Sequence, residues 1–291
     1  MRAEGGGERK RLMANIMDKL GVCSWSLRPQ APRDLAEKIA AMGIRRVQLH
    51  LDPVREGAWR AEETAGVLKL ANITIASGMM GTKGEDYSTL ESIKLTGGVR
   101  PDEHWEANLR AAEGNAIFAA RLGIPLVTFH AGFLPHDAGD ALRTRMVERL
   151  RQIAEVFAAR NVRVAFETGQ EDADTLLGVL KELNAALPEK AKVGVNFDPA
   201  NMILYGMGDP IEALRKLSPH VKQIHIKDAK PTNTPGTWGS EEPAGTGAVD
   251  WQKFFDAARG LRVDFMIERE AGDSREKDIA LARDLVRRIA G

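Results

Sequence analysis

Eight times along the chain a short apolar run is followed by a longer amphipathic one, and no feature of the sequence limits the fold more. The runs "LGVCSW" (20–25), "RRVQLHL" (45–51), "ITIASGMM" (73–80), "PLVTFHAG" (125–132), "VRVAFET" (162–168), "VGVNFDP" (193–199), "VKQIHIKD" (221–228) and "VDFMIER" (263–269) read as strands. Helices are predicted over 34–43, 59–72, 102–123, 140–161, 173–187, 209–217, 250–259 and 275–290, with Gly43, Gly123 and Asn161 as stops. Strands rich in Val, Ile and Phe that alternate with helical stretches make βα units and a parallel sheet. Eight units in 291 residues point to the α/β class and a (β/α)₈ TIM barrel in one domain. A doubly wound open sheet is the competitor. It would bring a glycine-rich phosphate fingerprint after an early strand, and "SWSLRPQ" carries none. Residues 20–291 are expected to form the barrel, and 1–19 a flexible N-terminal extension with a short helix before Gly21. Two longer loops, 81–101 and 229–249, follow the third and seventh strands. They should therefore lie at the C-terminal face of the barrel, where long loops act as lids.

Side chains at the C-terminal ends of barrel strands converge on one site. Here strand four ends on His130, strand five on Glu167, strand six on Asp198 and strand eight on Glu268, and strand seven carries His225. A single acid at a strand end is most often a helix N-cap or an ion-pair partner. Four such groups at matching depth on four adjacent strands are harder to explain that way. Three carboxylates brought together repel, so one must protonate or a cation must hold them. A divalent metal with His225 as fourth ligand resolves the repulsion. Three oxygens and one imidazole suit Mn²⁺ first, then Mg²⁺, Co²⁺ or Zn²⁺. His225 and Lys227 share a face by strand period, and Asn196 shares the face of Asp198 and is expected to orient it. Trp25, Trp59 and Trp238 could wall a sugar pocket or sit in the core. Glu270 is expected to pair with Arg269 or Arg275. Gly245 and Gly247 could cradle a phosphate or simply make a turn.

Composition removes several classes of function. The 41 basic side chains balance 41 acidic ones, which argues against a generally basic nucleic-acid binder. Cys23 is the one cysteine, so no internal disulfide can form. The N-terminus lacks the uninterrupted apolar stretch of a signal peptide, and no run approaches the roughly 20 apolar residues of a membrane span. A cytoplasmic protein with no membrane and no nucleic-acid partner is expected.

The segments "VAFET", "VNFDPANM", "QIHIKDA", "GTGAVDW" and "MIEREAG" resemble the sugar phosphate isomerase/epimerase group with the xylose isomerase-like TIM barrel. The resemblance runs from about Gly21 onward, and its most distinctive motifs lie in the later half. It implies one divalent metal held by Glu167, Asp198, His225 and Glu268. It also implies that Glu167 and Glu268 move a proton next to a carbonyl from opposite faces of the substrate, through an enediolate. His130 and Lys227 become candidates for substrate hydroxyls, with Asn201 and Trp25 beside them. The partner implied is a small-molecule sugar or sugar derivative. Relatives are often dimers or tetramers, so a homo-oligomer is expected. A metal-dependent lyase or dehydratase on a keto-sugar or inosose is the alternative, followed by a non-catalytic sugar-binding barrel. The sequence departs from endonuclease IV relatives, which bind three zinc ions. Asn201 stands where they carry a further His ligand, and the loop after strand seven has no histidine. Pro199 occupies the place where ketose 3-epimerases often hold substrate with a His.

Overall fold

The predicted strands form because each apolar run can bury one face against the helix layer and the other inside a closed barrel. In the computed structural model, which describes residues 16–290, β1 (Leu20–Cys23), β2 (Arg46–His50), β3 (Thr74–Met79), β4 (Leu126–Phe129), β5 (Arg163–Glu167), β6 (Gly194–Phe197), β7 (Val221–Ile226) and β10 (Asp264–Ile267) close in the order β1-β10-β7-β6-β5-β4-β3-β2. All eight neighbouring pairs are parallel. The register sets Glu167 beside Asn196 and His225 beside Met266, so β5, β6, β7 and β10 are contiguous. Residues 16–18 are helical, and most of the predicted flexible extension lies outside the described residues.

Around the barrel run α1 (Pro32–Ala41), α2 (Asp52–Arg55), α3 (Ala61–Leu70), α4 (Leu90–Thr96), α5 (Asp102–Arg121), α6 (Ala141–Ala158), α7 (Ala173–Ala186), α8 (Pro199–Leu204), α9 (Pro210–Leu217), α10 (Trp251–Ala257) and α11 (Arg275–Ala290). Their ends follow local chemistry. Asp172 caps α7 by accepting from Thr175 N, and Asp209 caps α9 ahead of Pro210. Asn161, the predicted stop, lies just past α6 with φ 59°, in the left-handed region. The core lies between the layers. Leu35, Ile39, Phe157, Leu180 and Phe254 from helices are fully buried against Val47, Phe166, Val195, Phe197 and Ile224 from strands. Each such side chain stabilises the fold by about 1.5–3 kcal/mol relative to exposure. Among the described residues, no helix is long and apolar enough to cross a membrane.

Three local expectations need correction. The first strand stops at Cys23, and Ser24–Leu27 turn as a 3-10 helix. The 81–101 loop contains α4, which Thr89 caps through Ser92 N. Its return is tight: Gly98 has φ +64°, and a Cβ there would stand 2.1 Å from Ala131 O. The 229–249 loop carries an antiparallel hairpin, β8 (Asp228–Lys230) with β9 (Ser240–Glu242).

Candidate metal and substrate site

Asp198 ends β6 and begins α8. Its Oδ1 accepts from Asn201 N at 2.9 Å, so it is a helix N-cap, with Pro199 at the first helical position. Thr168 fixes its backbone on both sides, accepting from Asp198 N and donating to Asp198 O. The other carboxylate oxygen, Oδ2, is left to face His225 Nδ1 at 3.3 Å. One acid therefore serves as cap and as site group together.

The same Nδ1 lies 3.5 Å from Glu167 and 3.2 Å from Glu268. Glu167, Asp198, His225 and Glu268 each offer one ligand atom within 4.8 Å of the others, and all four are buried. The opposite ring nitrogen, Nε2, lies 2.8 Å from Gln48 Oε1 and 3.0 Å from Asn196 Nδ2, beneath the cluster. Nδ1, which faces the three carboxylates, is the nitrogen placed to ligate, with Nε2–H directed at Gln48. Three carboxylate oxygens and one imidazole nitrogen converging in a buried space fit a hard or borderline divalent cation. Without one, charge is balanced by protons. Burial would lower His225, but Cys23 and then the surrounding carboxylates raise its pKa well above the usual value. Burial would likewise raise the acids. His130 and His225 hold Glu167 low, Lys227 and His225 hold Asp198 low, and Lys227 with His225 brings Glu268 down to about 2.

Each glutamate is also held from its far side. Asn196 Nδ2 donates to Glu167 Oε2 at 3.1 Å, and Asn201 Nδ2 donates to Oε1 at 3.0 Å. Trp25 Nε1 donates to Glu268 Oε1 at 2.7 Å, while Lys227 Nζ donates to Oε2 at 2.9 Å. His130 Nε2 stands 3.6 Å from Glu167. The eight residues that the resemblance assigns to metal, proton transfer or substrate thus meet in one place. Asn196 orients Glu167 rather than Asp198, because the strand register sets it beside Glu167. Glu270 pairs with Lys227 at 2.8 Å instead of an arginine, since Arg269 is turned to Glu241 and Asp278. Trp25 and Trp238 line the cavity above the cluster, whereas Trp59 packs against the core.

Sequence reasoning missed a neutral polar layer under the cluster. Ser77 donates to Gln223 at 2.5 Å, Gln223 to Asn196 at 3.1 Å, and Gln48 to Thr128 at 2.8 Å. All are buried inside the barrel. A polar residue on each of five apolar strands was the available signal. Cys23 lies against this layer, 3.4 Å from Gln48, and burial pushes its thiol up to about 12, so it is inert. The cavity above measures about 450 Å³ and reaches Tyr87, Tyr205 and Glu241 on the long loops and α8 side.

The barrel is shared with known proteins. A family model described as xylose isomerase-like TIM barrel matches residues 36–289. A crystal structure of a xylose isomerase domain protein from Planctomyces limnophilus is 31% identical, with TM-score 0.78 over 87% of this chain and 90% of that one. A xylose isomerase-like TIM barrel protein from Mycobacterium smegmatis in complex with magnesium is 19% identical, with TM-score 0.65 over 89% of this chain and 87% of that one. D-psicose 3-epimerase from Clostridium cellulolyticum H10, with D-tagatose, is 16% identical, with TM-score 0.68 over 94% of this chain and 99% of that one. No curated protein sequence matches the chain.

Proposed function

The chain belongs to the xylose isomerase-like TIM barrel family, and from that premise we propose that it isomerises or epimerises a sugar or sugar derivative, using one divalent metal ion held by Glu167, Asp198, His225 and Glu268. One observation carries the reading. Two buried glutamates, on strands separated by β6 and β7, line the same cavity and share one four-residue cluster. The magnesium-bound and D-tagatose-bound relatives of the same fold support it.

A bound ion would supply Lewis-acid stabilisation of the negative charge that develops on a substrate carbonyl oxygen. The chain's own residues do the rest. One of Glu167 and Glu268 takes the proton from the carbon next to the carbonyl, and the other returns it. Their amide, indole and ammonium partners keep both carboxylates ionised and oriented, so little reorganisation is needed at the moment of transfer. Lys227 and His130 stand on the cavity wall to meet hydroxyl or developing oxyanion groups. Trp25 and Trp238 supply apolar faces that displace water.

The test follows hydrogen exchange. Keto-sugars are incubated with the metal-loaded protein in D₂O, and loss of the C–H signal beside the carbonyl is read by NMR. Exchange should fall by about 10²–10⁴-fold in Glu167→Gln and in Glu268→Gln. Full exchange in both variants would sink the proton-transfer assignment.

A further inference from the structure

We infer that the sugar taken by this site is uncharged, because among the described residues no lysine, arginine or glycine cradle of the cavity is free for a phosphate group; this rests on the function proposed above. Among the described residues no arginine lines the cavity, and Lys227 is its one lysine. Its two histidines each face an acid: His50 lies 3.2 Å from Asp52, and His130 Nε2 lies 3.6 Å from Glu167. Of their buried ring nitrogens, only His130 Nδ1 is left without a partner among the described residues. Lys227 is 4% exposed and already bound to Glu268 and Glu270. Arg269, the arginine closest to the cluster in sequence, is closed off by Glu241 at 2.8 Å and Asp278 at 2.9 Å.

The remaining phosphate receptor would be the glycine turn after β9. Backbone N–H groups that converge in such a turn form an anion nest. This nest is full. The buried carboxylate of Asp228 accepts from Gly245 N at 2.8 Å, Gly247 N at 3.1 Å, Val249 N at 3.1 Å and Trp251 Nε1 at 2.9 Å. A Cβ on Gly247 would stand 2.1 Å from that carboxylate, so no ligand oxygen can share the space. The predicted choice between phosphate cradle and turn is settled by the chain's own acid.

The charge balance points the same way. A divalent ion together with Lys227 and a neutral His225 matches the three carboxylates of the ligand set. Glu85 and Glu270 then remain as surplus negative charge on the cavity wall. A phosphate charge about 6 Å from either, at an effective dielectric near 40, loses about tenfold in affinity per carboxylate. The neutral donors in the wall fit hydroxyl groups instead. Thr82 Oγ1 and Trp238 Nε1 have no hydrogen-bond partner among the described residues, and both residues line the cavity.

The experiment compares keto-hexoses with their own 1- and 6-phosphates on the metal-loaded protein. Equilibrium binding is read by tryptophan fluorescence, and deuterium incorporation by NMR. The neutral member of each pair should bind about 100-fold more tightly, and Glu270→Gln should narrow that gap about tenfold. Phosphates that bind or exchange as well as the neutral sugars overturn this inference and leave the proposed function standing. Preferential binding of neutral sugars without exchange supports the inference and overturns the proposed function. Binding of neither series overturns both.

Discussion

Adding a divalent ion to the chelator-treated protein should release one proton per ion, and the number follows from the site. In the metal-free state His225 Nδ1 lies 3.2–3.5 Å from three carboxylates, too close for a bare lone pair to be the stable form. The ring is therefore an imidazolium, with its pKa well above 6.5 once the acids outweigh burial. To ligate, Nδ1 must lose its proton, while Nε2 keeps the one directed at Gln48. Lys227 stays charged, since Glu268 and Glu270 both hold it and its own pKa is raised against burial. Only one group changes protonation. Affinity should accordingly rise tenfold per pH unit, about 1.4 kcal/mol, across the range below the folded His225 pKa. Calorimetry of Mn²⁺ binding in buffers of different ionisation enthalpy measures the release directly as the slope of observed against buffer enthalpy. A slope of one is expected. A slope of zero would show that His225 is neutral before metal arrives and would refute the electrostatic account of the cluster. A slope of two would mean that Lys227 also gives up its proton.

Three other perturbations have definite signs. Lys227→Met removes the cation between Glu268 and Glu270, so urea unfolding of the metal-free protein should show a loss of about 3–5 kcal/mol; a loss under 1 kcal/mol would contradict the pairing. Glu171 follows β5, and burial, then Asp172, pushes its carboxyl up to about 8. Its folded pKa lies above its unfolded one, so its contribution is complete below about pH 4.5 and is lost as pH rises through 8. Glu171→Gln should abolish that loss, worth at most about 4–5 kcal/mol, and thermal melts at pH 5.5 and 8.5 should converge for the variant only. Asp228→Ala frees five N–H donors, including Ala229 N, and should open residues 231–247 to limited proteolysis while the barrel still melts cooperatively; an unchanged cleavage pattern would show that the hairpin does not depend on this carboxylate.

How much of this was legible in the sequence depends on whether a residue's meaning is set along a strand or across the fold. Glu167, Asp198, His225 and Glu268 could be found because each breaks an apolar run, and strand period with barrel order carries such breaks to one rim. The eight helices predicted were legible for a related reason, since stops such as Gly43 and Asn161 act on groups a few residues away, whereas the short α2, α4 and α8 were not. Gln48, Ser77, Thr128 and Gln223 break their runs too, but as neutral groups they raise no charge problem and demand no partner until the barrel closes and removes water from them. Asp228 shows the limit most clearly. In "HIKDAK" it looks like any acid at a strand end, and in "GTGAVDW" the glycines look like any open turn. Their pairing spans 17 residues of loop and exists only because β8 and β9 fold back over the barrel mouth. That contact turns a motif suited to phosphate into one that excludes it. The proposed exclusion of phosphate therefore rests on a tertiary contact, whereas the four residues proposed as metal ligands stand out along the strands themselves.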